Sequence, residues 1–163
     1  MRSLRGRGLT VGLTVGVTVV VGSMVLASTA PVALGPPARF TASGETVVDN
    51  ATHLTWQRGV ATSAGDDGAG RWTWAHAKST CAGLGGGYRL PTVKELLTIV
   101  DFTRSSPAID TSSTAFPGTP SEAFWTATPL AASPPTSAWF IDFADGYAGN
   151  TEMTQPSRVR CVR

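Results

Sequence analysis

Residues 71–101, RWTWAHAKSTCAGLGGGYRLPTVKELLTIVD, decide how the rest of the chain must be arranged. They read as helix, glycine turn, short extended piece, helix. Thr73 is placed to cap the first helix, and Trp74, Ala77, Cys81 and Leu84 follow at spacings of three and four, one apolar stripe. Gly83, Gly85, Gly86 and Gly87 end it, because glycine enters left-handed backbone geometry without steric cost. Tyr88, Arg89 and Leu90 are extended, and Pro91 holds Leu90 out of the helical region. Thr92 and Glu95 then form a capping box, with Val93, Leu96, Leu97 and Val100 as the buried face of a second helix. Two amphipathic helices need a surface to cover, and the flanking segments must supply a sheet.

Those segments carry strand signals. In residues 40–58, Val47 and Val48 favour a strand, Asp49-Asn50 a turn, and Leu54 and Trp56 alternate with polar neighbours, which together predict a hairpin. Residues 124–128 (FWTAT), stopped by Pro129, and residues 138–143 (AWFIDF), followed by the turn Asp145-Gly146, are two more strands. Residues 158–163 (RVRCVR) form the last one. Residues 103–122 and 144–157 read as long polar loops. Strand, helix, strand, helix, then strands is an α+β domain with a mostly antiparallel, short-stranded sheet.

The first 27 residues read as a signal peptide. Arg2, Arg5 and Arg7 are followed by an apolar run and by Val25-Leu26-Ala27, with small residues where a signal peptidase cuts. If uncleaved, the run approaches the roughly 20 residues that span a bilayer, and contact with a membrane is expected only in that case. Residues 28–38, rich in Pro, Ala and Gly, read as a flexible lead-in. With the three leader arginines set aside, the 13 basic residues no longer outnumber the 11 acidic ones, so nothing favours nucleic acid as a partner. The two cysteines of an exported chain point to a Cys81–Cys161 disulfide rather than a reactive thiol pair.

Few residues suggest chemistry. Asp66-Asp67-Gly68 offers two carboxylates, short of the 6–8 oxygens calcium takes, and reads as a turn. His53 and His76 stand apart from other metal-ligand types, and no nucleophile–base arrangement is visible. No cofactor and no enzyme activity are expected. Trp74, Trp125 and Trp139 are expected in the core, with Trp72 the freer one; Arg89 is expected to pair with Glu95 or Asp101.

Several segments resemble the Lcl C-terminal domain family, named after the last domain of a collagen-like bacterial adhesin. They are TVVDNATHLTWQR (46–58), residues 74–84, YRLPTVKELL (88–97), FWTATP (124–129), WFIDFADG (139–146) and VRCVR (159–163). The likeness spans about residues 39–163. His53 stands where the family has glycine. The resemblance implies a C-type lectin-like fold, in which a first-helix cysteine also pairs with one on the last strand. It implies an exported, non-catalytic, adhesin-like module that binds a glycan, a polyanion or a surface protein. The calcium-dependent sugar site of that fold does not carry over, since Gln155-Pro156-Ser157 lacks the final acid and residues 139–142 are not Trp-Asn-Asp. The Arg-Leu-Pro-Thr stretch is also similar to one in formylglycine-generating enzymes, which makes such an enzyme the alternative. A ligand-free part of an envelope assembly is the third reading.

In this fold the ligand face lies on the long loops, which here carry Arg104, Asp145, Tyr147, Asn150 and Glu152. A competing basic patch is formed by Arg158, Arg160 and Arg163, read as exposed on one face of the last strand.

Overall fold

The computed structural model describes residues 38–61, 63–131 and 135–163. The expected signal peptide or anchor, and all but the last residue of the lead-in, lie outside the described residues. Among those described, no helix is long and apolar enough to cross a membrane.

The domain is α+β, with two antiparallel three-stranded sheets and two helices. The first sheet is a meander of β1 (Phe40–Ser43), β2 (Thr46–Asp49) and β3 (Thr55–Gln57). Its first turn is the pair Gly44-Glu45, with Gly44 at φ +56°. The expected hairpin is β2 and β3; β1 is the strand that the polar sequence FTAS concealed. Between β2 and β3, His53 takes φ +60°, so the place where the family has glycine does require left-handed backbone.

Helix α1 (Trp74–Gly83) buries Ala77 and Cys81, but Leu84 ends up half exposed because the glycine turn carries it past the end of the stripe. Thr73 occupies the N-cap position without capping: its hydroxyl donates to Asp66 Oδ2 (2.8 Å) instead. Helix α2 (Val93–Thr98) begins with the full capping box, Glu95 N donating to Thr92 Oγ1 (3.2 Å) and Thr92 N to Glu95 Oε2 (2.8 Å). Leu96 is buried, together with Ile99 and Val100 just beyond the helix.

The second sheet holds β4 (Ala123–Pro129), β5 (Ser137–Asp142) and β6 (Tyr147–Glu152) in that order. It has core on both faces. Phe124 and Ile141 pack with Val47, Trp56, Leu96 and Phe143, while Trp125 and Ala138 pack with Trp72, Ala77, Leu90 and the disulfide. Strand β6 falls in the segment expected to be a loop. Its run of Ala, Gly, Asn and Thr lacks the apolar alternation that marks a strand, yet every residue pairs with β5.

The last seven residues are not an edge strand. Arg163 and Thr55 exchange backbone hydrogen bonds (2.9 Å each way), and Gln57 N donates to the Cys161 carbonyl. On the other side Val162 and Arg89 exchange a second pair, and the Arg158 backbone joins Ala123 and Trp125 of β4. The segment therefore links the first sheet, the Arg-Leu-Pro stretch and the second sheet, and Cys161 within it is bonded to Cys81 of α1. The loop 103–122 has no regular structure but is anchored, with Ala108, Ile109, Ala115 and Phe116 all fully buried.

The tryptophans divide differently from the expectation. Trp72 is buried, and its carbonyl accepts from Trp125 Nε1 (2.7 Å). Trp139 is half-buried, whereas Ala138 and Ile141 on the same strand are fully buried. Arg89 pairs with Glu95 in a two-pronged bond, at 2.6 and 2.8 Å.

Candidate functional site

The residues after α2 build a corner. Asp101 Oδ1 accepts from the amide (3.0 Å) and hydroxyl (2.6 Å) of Thr103, and its Oδ2 accepts from Arg104 Nε (2.9 Å). The two Thr103 bonds, then Arg104, hold the Asp101 carboxyl below its ordinary pKa. These bonds fold the chain over Asp101 and leave Phe102, between the bonded residues, 71% exposed.

The β5–β6 turn closes against this corner. Asp101 N donates to the Ala108 carbonyl (2.9 Å), Ser106 N to Ala144 (2.8 Å) and Ala108 N to Phe143 (2.6 Å). Gly146, at φ +86°, lies against Val100 and Phe102, where a Cβ would come within 2.7 Å of Val100 Cγ1 and 2.9 Å of Phe102 Cε1. Only glycine allows that approach. The next residue, Tyr147, is 62% exposed, with its ring 6.3 Å from that of Phe140. Phe102 and Tyr147 are thus large exposed aromatics on two neighbouring segments.

A cleft of about 520 Å³ opens beside Phe102, walled by Phe40, Ile99 and Val100 and edged by Arg39, Asp101 and Asp110. Arg39 is half exposed, 3.2 Å from the buried Asp49, and also donates to the Thr98 carbonyl. Aromatic surface beside fixed carboxylate and guanidinium groups suits a ring-shaped polyol, which offers C–H faces and hydroxyls together.

Of the five expected ligand residues, the structure gathers part. Arg104 sits at the corner, bridging Asp101 and Asp110 (3.8 Å). Asp145 lies in the adjoining turn, where its Oδ1 accepts from Tyr147 N (2.9 Å). Tyr147 opens β6 rather than lying in a loop. Asn150 and Glu152 are exposed further along β6, and strand alternation puts them on the opposite face from Tyr147. Phe102, Arg39 and the Asp101–Asp110 pair were missed by sequence reasoning. The available signal was an aromatic residue set among polar ones immediately after a helix end.

The basic patch does not form. Arg158 is held by Glu122 (2.9 and 3.0 Å) and by the carbonyls of Ala69 and Gly70. Arg160 is fully buried. Arg163 alone is exposed, with its guanidinium 4.9 Å from the centre of the Tyr88 ring. The patch expectation treated residues 158–163 as an edge, but the segment is paired on both sides and has core against both faces, so Val159, Arg160, Cys161 and Val162 are all buried. Asp66 and Asp67 are spent on their own loop: Asp66 on Thr73 and on His76 Nδ1 (2.6 Å), Asp67 on Ala69 and Arg71.

No match was found among curated proteins. The family model of the Lcl C-terminal domain matches residues 45–163, from the first sheet through the closing segment and including the whole of this corner except Arg39 and Phe40. By that match over well above half its length, the chain belongs to the Lcl C-terminal domain family.

Proposed function

We propose that this is an exported, non-catalytic binding module of the adhesin type, with a C-type lectin-like fold, which takes a glycan at the corner formed by Phe102 and the β5–β6 turn. The observation that carries the reading is the exposure of Phe102 on a rigidly strapped segment that lines a cleft with charged edges, with Tyr147 exposed on the segment adjoining it. A folded monomer gains nothing from large aromatics held in water, whereas a saccharide gains a stacking surface. Family membership supports an adhesin-associated role. The bond between α1 and the closing segment supports the lectin-like fold, and a disulfide fits an extracellular location. The same bond argues against formylglycine-type chemistry, which needs free thiols, since both cysteines are consumed in it.

The arginines at the corner already face carboxylates, so binding should depend on stacking and hydrogen bonds and vary little with salt. A glycan array on the purified domain tests this, with Phe102→Ala and Tyr147→Ala in parallel. The expected result is one glycan class retained, with affinity falling about tenfold or more in either variant. Binding unchanged in both variants would move the ligand elsewhere.

A further inference from the structure

Arg160 is a buried cation without a carboxylate. Its Nη1 donates to the carbonyls of Gln57 (2.8 Å) and Arg58 (2.6 Å), and its Nη2 to Thr119 Oγ1 (2.7 Å). The guanidinium lies over Phe116, 4.7 Å from the ring centre, and 5.9 Å from that of Phe124. Burial pulls its pKa down to about 9, and no acidic neighbour pulls it back. Its Nε finds no acceptor among the described residues.

Two other buried side-chain atoms share that condition, Trp56 Nε1 and Arg58 Nε. All three are N–H donors, and the strand register relates them. Trp56 pairs with Val162, and Gln57 N donates to the Cys161 carbonyl. Carried one step further, the same register sets Arg58 opposite Arg160. Residues opposite one another in an antiparallel pair share a face, as do residues two apart on one strand. The three donors therefore come from one face of the ladder between β3 and the closing segment. Trp56, Phe116 and Phe124 belong to one core cluster, and Arg160 lies against both phenylalanines.

Two guanidiniums set across from each other repel, and among the described residues neither makes an ion pair. Arg58 Nη2 is bound to the Ser113 carbonyl (2.6 Å), which holds that side chain in place. Water would be a poor partner here: it accepts, but it must also donate, and the Phe116 and Phe124 rings beside Arg160 offer it no good acceptor. An acceptor that carries negative charge and has nothing to donate fits both the orphaned donors and the uncompensated charge.

We propose that the Nε–H groups of Arg58 and Arg160 and the indole N–H of Trp56 hold a small monovalent inorganic anion of chloride size. The ion clamps β3 to the closing segment under the loop 103–122. The site is separate from the Phe102 corner and does not depend on what that corner binds.

The test is thermal unfolding of the purified domain at constant ionic strength, with sodium chloride replaced stepwise by sodium gluconate, whose anion is too large to enter. Tm should rise with chloride and saturate, as for any ligand of the native state alone, and bromide should replace chloride. Trp56→Phe keeps an aromatic ring in the core and removes one donor, so the chloride concentration for half the effect should increase about tenfold. Crystals of the unaltered protein grown in bromide should show anomalous signal within hydrogen-bonding reach of Arg160 Nε. Equal Tm in chloride and gluconate would overturn the proposal. So would bromide signal located elsewhere, or a chloride response that Trp56→Phe leaves unchanged.

Discussion

The two helices begin by opposite means. Most of what starts α2 lies within seven residues: Thr92 and Glu95 cap each other, and Arg89 grips the same carboxylate, while the Val93 amide makes one remote bond, to Thr128 Oγ1 (3.0 Å). The start of α1 has no side-chain cap of its own and is divided between a loop carboxylate and a remote carbonyl. The amide of Thr73 donates to Asp66 Oδ2 (2.7 Å), and the amide of Trp74 to the carbonyl of Met153 (2.9 Å), just beyond the end of β6. The difference separates a helix whose start is set by neighbouring side chains from one whose start exists only after the sheet and the closing segment are in place. Further holds on α1 are also remote: Trp74 Nε1 donates to the Thr126 carbonyl (2.8 Å), and Cys81 is bonded to Cys161.

Breaking that remote hold should cost most. The disulfide closes a loop of 80 residues, for which the chain-entropy model gives about 4.5 kcal/mol as an upper value. Replacing both cysteines with alanine should therefore lower the stability read by urea unfolding by about 2–4 kcal/mol. A loss under about 1 kcal/mol would mean that packing alone fixes α1.

The local start should instead respond to acid. Hydrogen bonds from Arg89, then those from Thr92, outweigh burial and hold the Glu95 carboxyl at about pKa 2, against an ordinary 4.5. A carboxylate with a lowered folded-state pKa contributes its full stability above the unfolded value, and the contribution is lost as pH falls through the folded one. The stability gap between the unaltered domain and Glu95→Gln should thus be widest above pH 4.5 and narrow steadily toward pH 2. Urea unfolding at pH 5 and pH 3 measures it, and an equal gap at both would show that the charge of Glu95 is not what matters.

The smallest effects compare the two starts directly. Thr92→Ala should cost about 1 kcal/mol, the usual loss for an N-cap. Thr73→Ala should cost less, since its hydroxyl only donates to an exposed carboxylate and caps nothing. Thermal melts of the two variants side by side would settle the order, and a larger loss from Thr73→Ala would reverse the assignment of local and remote starts.

The same division explains what could be read from the sequence. The capping box, the Arg89–Glu95 pair, the Asp145-Gly146 turn and the glycine stop after α1 involve neighbours in the chain, and each is where its residues imply. The disulfide was legible because only one intramolecular pairing exists for two cysteines. Strand β6 was not, because Gly149 and Asn150 carry turn-like chemistry and only β5 beside them makes a strand. The burial of Arg160 was hidden for a related reason. Alternation in RVRCVR marks two faces, but whether the arginine face meets water depends on β3 and on the loop 103–122, which are far away in sequence. At the candidate site, loop position pointed to Arg104, Asp145 and Tyr147. Phe102 was passed over because it follows a helix stripe and resembles a continuation of it.

The closing segment has a consequence for the order of events during synthesis. Trp56, Trp72, Arg89 and Phe124 each find a backbone partner among residues 157–163. While the chain is growing from its N-terminus, the residues of the first sheet, both helices and β4 are all made before their shared partner is. The earlier portions therefore cannot complete their shared hydrogen bonding or close the core until residues 157–163 have been made. Maturity arrives in one event, when a seven-residue strip enters between the two sheets and brings the second cysteine to the first.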